Sequence, residues 1–205
     1  DKKDNVCIVI DSIGNLASKK EVDDALDGKS VADMSRAKQM KSLFRIVTPH
    51  LNLKDIPLIC VNHTYKEIGL FPKDIVSGGT GAYYSADAIW IIGRRQEKEG
   101  TEIKGYHFVV NIEKSRHVRE KSQIPITVTF DGGIMKWSGL LEVAEKAGYV
   151  HKPKVGWYEA LNPETGEVLS DKMMRAKEIV DNKDFWLMMF EKTNLAKHIE
   201  KVYTI

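Results

Sequence analysis

The sequence predicts an α/β fold: a mostly parallel sheet core with an antiparallel extension, followed by a small α+β C-terminal domain. Three observations predict it. Two continuous apolar runs, VCIVI at residues 6–10 and IPLICV at 56–61, suit strands buried on both faces of a parallel sheet, and a helical pattern separates them. Three further strand-like runs then follow at short intervals, as in a meander. Beyond Trp137 the character changes to short helices and turns, so residues 1–136 are expected to form the core and 137–205 the C-terminal domain.

Composition narrows the class. The chain has 205 residues, 42% hydrophobic and 29% charged, the balance of an ordinary globular protein. Its 31 Lys+Arg against 29 Asp+Glu leave a formal net charge of +2, so no global field attracts nucleic acid and any such contact must come from local loops. Cys7 and Cys60 each sit in an apolar run and are expected to be small buried hydrophobes rather than a disulfide or metal pair. The N-terminus has no cleavable apolar leader and no stretch is long enough to span a bilayer, so the expected place is the cytoplasm, away from membranes.

Taken in order, the first apolar run ends in Asp11 and is followed by a polar, charged stretch at 18–30, punctuated by Gly28, that is expected to be mobile. From Asp33, an N-cap candidate, Met40, Leu43, Phe44 and Val47 recur at helical spacing, with Arg36, Lys38, Lys41 and Arg45 over the remaining surface and Pro49 marking the end. The second run is closed by Asn62-His63. Residues 64–85 then continue without convincing periodicity, and loops of that length are usually functional. Strands are expected at 88–93, 106–112 and 124–130, the last ending in Asp131-Gly132-Gly133. In the C-terminal part Leu140, Leu141, Ala144 and Ala147 share a helix face stopped by Gly148. A turn follows at 162–166. Phe185, Met188, Met189 and the segment 195–203 then form a second apolar cluster.

Three constellations carry possible chemistry. An acid at the carboxyl end of a buried strand, as Asp11 is, sits where nucleotide-binding sheets hold the water shell of a magnesium ion, although the same pattern also serves as a turn or cap signal. Asn62-His63 leads into Ser77-Gly78-Gly79-Thr80-Gly81, whose glycines permit close backbone approach to phosphates or simply a flexible loop. That segment has no Lys-Ser or Lys-Thr after its glycines and is not a phosphate-binding P-loop. Around it Tyr65, Lys66, Phe71, Lys73, Tyr83 and Tyr84 mix aromatic and basic groups, as single-strand binding surfaces and ordinary interfaces both do. The third is the charge run at 113–121, containing Lys114 and Arg116, which reads as a solvated hairpin tip unless a partner uses it. No H-x-x-x-H or C-x-x-C spacing supports a structural metal site.

In this order and spacing, the stretches IDSIGNLASKKE, MKSLFRIVTP, SGGTGAYYSAD, GYHFVVNIEKSR and FDGGI with SGLL resemble the RecA family of DNA recombinases, and among them the phage UvsX type, across essentially the whole chain. The resemblance implies a RecA-like core and the following roles. Asp11 corresponds to the Walker B aspartate that orders magnesium through water, with Ser12 beside it. Residues 21–31, with Lys29, resemble the first DNA-binding loop. Residues 65–85, with Tyr65, Lys66, Lys73, Gly78, Gly79, Thr80 and Gly81, resemble the second. His63, next to Asn62, matches the polar switch that senses the γ-phosphate of ATP, and departs from the Gln usual in bacterial RecA. Lys114 and Arg116 resemble the basic pair that reaches the ATP of a neighbouring protomer, where such cations stabilise charge on the transferring phosphoryl group.

The family function so implied is ATP- and Mg2+-dependent homologous strand exchange by a helical homo-oligomeric filament on single-stranded DNA, which it pairs with double-stranded DNA. A single-strand-binding protein and a recombination mediator are the further partners. The family's Walker A loop and catalytic Glu precede the Walker B strand and have no counterpart here, so the chain alone is expected not to hydrolyse ATP. Two other readings stay open: a non-catalytic single-strand-binding or assembly module, and another RecA-fold ATPase such as a helicase.

Overall fold

The structure is a computed structural model and describes residues 5–29, 35–70, 72, 74–77 and 79–204. It is a mixed helix and strand fold with several sheets, divided into two compact units, Asp1–Asp87 and Ala88–Ile205.

In the first unit, β1 (Ile8–Ile10) pairs in parallel with β2 (Leu58–Cys60), Ile8 opposite Leu58 and Ile10 opposite Cys60. The expected strands are therefore present, but the expected burial on both faces is not: Val9 is 62% and Ile59 55% exposed. The pair forms a sheet of two strands, so apolar side chains that a wider, covered sheet would hide stay at the surface. Cys7 is likewise exposed, while Cys60 is half-buried, and that burial pushes its thiol pKa up.

A 3-10 turn (Ile13–Asn15) follows β1, and then α1 (Lys19–Leu26), a helix where the sequence suggested a mobile stretch. Its cause is local. Ser18 accepts from the Glu21 amide at 3.0 Å while the Glu21 carboxylate takes the Ser18 amide at 2.7 Å, a reciprocal capping box, and Lys20 pairs with Asp24 one turn on. The helix α2 (Arg36–Leu53) carries the expected apolar spacing, with Phe44 buried. The N-cap candidate Asp33 lies outside the described residues. Pro49 does not end this helix but sits inside it. Proline's fixed φ suits the helix, but the residue gives up the hydrogen bond to the carbonyl of Arg45, an exposed residue, and its ring crowds that carbonyl.

The long segment after β2 also holds regular structure among its described residues. It forms an antiparallel hairpin, β3 (Thr64–Lys66) with β4 (Asp74–Val76), followed by α3 (Thr80–Ser85). Gly81 is buried against α2: a Cβ there would stand 2.5 Å from the Lys41 Cα, so only glycine lets the two helices approach this closely.

The second unit begins with an antiparallel sheet in chain order, β5 (Ala88–Glu99), β6 (Glu102–Ser115), β7 (Gln123–Thr129) and β8 (Gly133–Ile134). The first two strands run beyond the expected limits through a charged stretch, joined across Gly100, whose φ of 63° suits a tight turn. Then come α4 (Leu140–Lys146), the sheet of β9 (Val150–Lys154), β10 (Trp157–Ala160) and β11 (Met174–Arg175), and the helices α5 (Ala176–Ile179), α6 (Lys183–Lys192) and α7 (Leu195–Tyr203). Gly148 ends the α4 segment at φ 79°, as its sequence position indicates.

Leu141, Ala144, Val150, Ile179, Trp186 and Met189 lie in one apolar cluster. Trp186, at its centre, is 0% exposed and donates its indole N–H to the Ile179 carbonyl at 3.0 Å. That satisfies the single polar atom of an otherwise apolar side chain. Among the described residues no helix is long and apolar enough to cross a membrane.

Candidate functional site

The carboxyl ends of β1 and β2 lie side by side, because parallel pairing sets Ile10 opposite Cys60. The segments leaving them are held together by backbone bonds: the Val61 amide donates to the Ile10 carbonyl at 2.9 Å, and the Ile13 amide to the Val61 carbonyl at 3.0 Å. Asp11 and Ser12 therefore face Asn62 and His63 across this junction. Asp11 is exposed and Ser12 buried. The Ser12 hydroxyl lies 3.4 Å from His63 Nε2. Gly14 completes the seat: a Cβ on it would meet the His63 ring at 2.9 Å, so the imidazole packs against bare backbone.

Asn62 ties this junction to the hairpin. Its side-chain amide donates to the Ser77 carbonyl at 2.7 Å, its oxygen accepts from the His63 amide at 2.9 Å, and the Ser77 amide donates back to the His63 carbonyl at 2.9 Å. The start and the end of the β3–β4 segment are thereby fixed on one base next to His63. A cavity of about 280 Å³ opens beside it, lined by Ile13, Gly14, Arg36, Phe44, Asn62 and Gly79, among others.

The remaining candidates fall as follows. Tyr65 and Lys66 are exposed on β3, and Lys66 pairs with Asp74 across the hairpin at 2.8 Å, a surface pair of small energetic weight. Ile68 and Leu70, at the hairpin's apex, are fully exposed. Gly79 and Thr80 are exposed at the entry to α3, Gly79 at φ 76°, whereas Gly81 is buried between helices. Lys73 and Gly78 lie outside the described residues. Lys29 is exposed past α1, 2.9 Å from Asp27. Lys114 and Arg116 belong to the second unit, Lys114 half-buried on β6 and Arg116 exposed in the loop toward β7.

Arg36 was read from the sequence as one of several surface cations of α2. It is instead half-buried, donating to the Ile13 carbonyl at 3.3 Å and also to that of Gly14. Helical periodicity assigns a face but not a tertiary carbonyl, so no local signal marks this contact.

The donor set also bears on a metal. Among the described residues no group of three or more His, Cys, Asp or Glu could enclose an ion. A lone exposed carboxylate at a strand end fits Mg2+ held through water, since this ion keeps much of its hydration shell and shares it with substrate phosphates. Asp11 is the residue that fits that part.

Comparison with known proteins extends this picture. A sequence model of the family described as "Bacteriophage T4, Recombination and repair protein, C-terminal domain" matches residues 137–199. The "Recombination and repair protein" of Enterobacteria phage T4 is 50% identical over 100% of this chain and 53% of its own length. "Protein RecA" of a Nocardioides species is 24% identical over 78% of this chain and 46% of its own length. That of Streptomyces ambofaciens is 25% identical over 95% of this chain and 49% of its own length. The chain thus spans about half the length of the curated relatives it matches. It is a relative, along its whole length, of the UvsX-type phage recombination and repair protein and, at greater distance, of bacterial RecA.

Proposed function

We propose that this chain is the DNA-gripping and nucleotide-sensing part of a homologous recombinase that forms a filament on single-stranded DNA and exchanges it into a duplex. The observation that carries this reading is the hydrogen-bonded junction that ties His63 and Asn62 both to the strand end bearing Asp11 and to the base of the β3–β4 hairpin. A group that touches a nucleotide site on one side and a DNA loop on the other is what nucleotide-controlled DNA affinity requires.

In this reading Asp11 orients Mg2+ through water, and Ser12 holds His63 in register. ATP, when bound with that ion, supplies the phosphoryl group whose presence or loss sets the state of the site. Asn62 carries the displacement of His63 into the hairpin. Tyr65, Lys66, Lys73 and the backbone at Gly78, Gly79 and Thr80, together with Lys29, contact single-stranded DNA through phosphate and stacking, which demands no base-specific readers. Gly81 serves the same loop by fixing its far end on α2. Lys114 and Arg116 act in trans, on the nucleotide of the next protomer in the filament.

We further assign residues 1–136 to a RecA-like core, with a parallel β1–β2 pair and an antiparallel extension, and 137–205 to a separate small domain. The parallel β1–β2 pair and the start of the family match at residue 137 support that division. The place of action is the cytoplasm of the host, where single-strand-binding and mediator proteins would be the working partners.

The test is strand exchange by the full-length protein between circular single-stranded DNA and a homologous linear duplex, with ATP and Mg2+. ATP-dependent joint molecules are expected. Single-strand binding that ignores ATP, with no joint molecules, would overturn the recombinase reading in favour of a passive binding module, and unwinding of a forked duplex would favour a helicase.

A further inference from the structure

The structure assigns Arg36 as a positioning residue for nucleotide control of DNA binding, acting through the turn that seats His63. This inference rests on the function proposed above.

Arg36 is the first residue of α2 and stands five positions beyond residues 21–31, the segment read as the first DNA loop. Its guanidinium donates to the carbonyls of Ile13 and Gly14 in the 3-10 turn that follows Asp11 and Ser12. The Ile13 carbonyl also accepts from the Leu16 amide within the turn at 3.3 Å. The guanidinium thus adds a second donor there and a donor to Gly14, and a charged donor binds a carbonyl more strongly than a neutral one. The same turn supplies the surface under the imidazole, since Gly14 lies against the His63 ring and Ser12 contacts its Nε2 at 3.4 Å.

One guanidinium therefore fixes the floor on which His63 moves. Along α2, Ala37 and Lys41 then meet Gly79 and Gly81, which end the second loop. A shift of α2 on DNA binding would move Arg36, the turn and His63 as one body. In this arrangement Arg36 need touch neither phosphate nor DNA.

The experiment measures binding of a fluorescent oligothymidylate to the full-length protein with ATP, with ADP and without nucleotide, for the wild type, Arg36→Ala, His63→Ala and the double variant. In the wild type ATP raises affinity. In Arg36→Ala that ratio should fall about tenfold, within the usual range of coupling between sites, while nucleotide-free affinity and its salt dependence stay unchanged.

In the His63→Ala background, Arg36→Ala should add nothing further, because coupled residues are non-additive. An equal loss in every nucleotide state with a shallower salt slope would make Arg36 a phosphate contact and overturn the inference. So would an unchanged ratio in Arg36→Ala, or full additivity with His63→Ala. If the wild type shows no ATP effect at all, it is the recombinase reading that fails. A thermal melt of each variant separates loss of fold from loss of coupling.

Discussion

Asn62 and Ser77 are joined by a 2.7 Å hydrogen bond from the Asn62 side-chain amide to the Ser77 carbonyl, across fifteen positions of chain that hold the hairpin between them. This contact closes the β3–β4 segment into a loop with a single base, and the base is shared with His63. The hairpin's base is therefore bonded to the same two residues, Asn62 and His63.

If the proposed function holds, His63→Ala in the full-length protein should abolish most of the ATP stimulation of single-strand binding. The imidazole of His63 reaches Ser12, whereas the backbone of His63, which carries the bond to Ser77, survives the substitution. Nucleotide-free affinity should stay close to wild type in an anisotropy titration. Retention of the full ATP effect removes His63 from the switch.

Gly81→Ala should destabilise the first unit by about 1–3 kcal/mol, the usual cost of forcing extra atoms into a close contact. The added methyl would stand 2.5 Å from the Lys41 Cα, a backbone atom that cannot swing aside. Faster hydrogen exchange confined to α2 and α3 is the expected signature, and unchanged protection there would refute the close-packing account.

In the second unit, Trp186→Ala should cost about 3–5 kcal/mol in a urea melt followed by far-ultraviolet circular dichroism. The side chain is fully buried, so removal leaves a cavity, and it takes away one of two donors to the Ile179 carbonyl, which keeps the Asn182 amide at 3.0 Å. Trp186→Phe should cost clearly less.

Alkali should loosen the same unit. Burial, helped by the Glu164 carboxylate, raises the pKa of Tyr149, and burial alone raises that of Tyr203. A raised folded-state value means the fold favours the neutral phenol. Its contribution is thus complete below the ordinary tyrosine value of about 10 and is lost as pH climbs through the higher folded value. Melting temperature should fall above about pH 10, and Tyr149→Phe should make that fall shallower without removing it, since Tyr203 remains.

Much of the architecture was legible because it rests on local pattern. The apolar runs at β1 and β2, the period of α2, the meander and the Gly148 stop are each written in neighbouring residues, and the structure has them. What escaped were features whose cause is short or distant. The hairpin strands β3 and β4 have three residues each, too few for alternation to register. The helix α1 was hidden by its charge, though Ser18 and Glu21 spelled its cap. Pro49 misled because a lone proline usually marks a helix end, whereas α2 runs on to Leu53.

At the candidate site, sequence drew attention to Asp11, Ser12, Asn62 and His63, and the structure brings them to adjoining strand ends. Arg36 was placed among the surface cations of α2 and Gly14 given no role, because a guanidinium bound to carbonyls of a distant turn leaves no mark in its own neighbourhood.

The four tryptophans, at 90, 137, 157 and 186, all fall in the second unit, and the first has none. Their surroundings differ sharply, from Trp90 at 62% exposed to Trp186 at zero. Intrinsic emission excited at the red edge is therefore an address label for one half of the molecule. A blue-shifted, quencher-resistant component would report the cluster around Trp186, a red-shifted, quenchable one the sheet edge at Trp90. Unfolding of the half that carries Asp11 and His63 would pass in darkness, visible only through Tyr65, Tyr83 and Tyr84. A tryptophan introduced in the first unit, with the other four replaced by phenylalanine, would report the melt of that half alone.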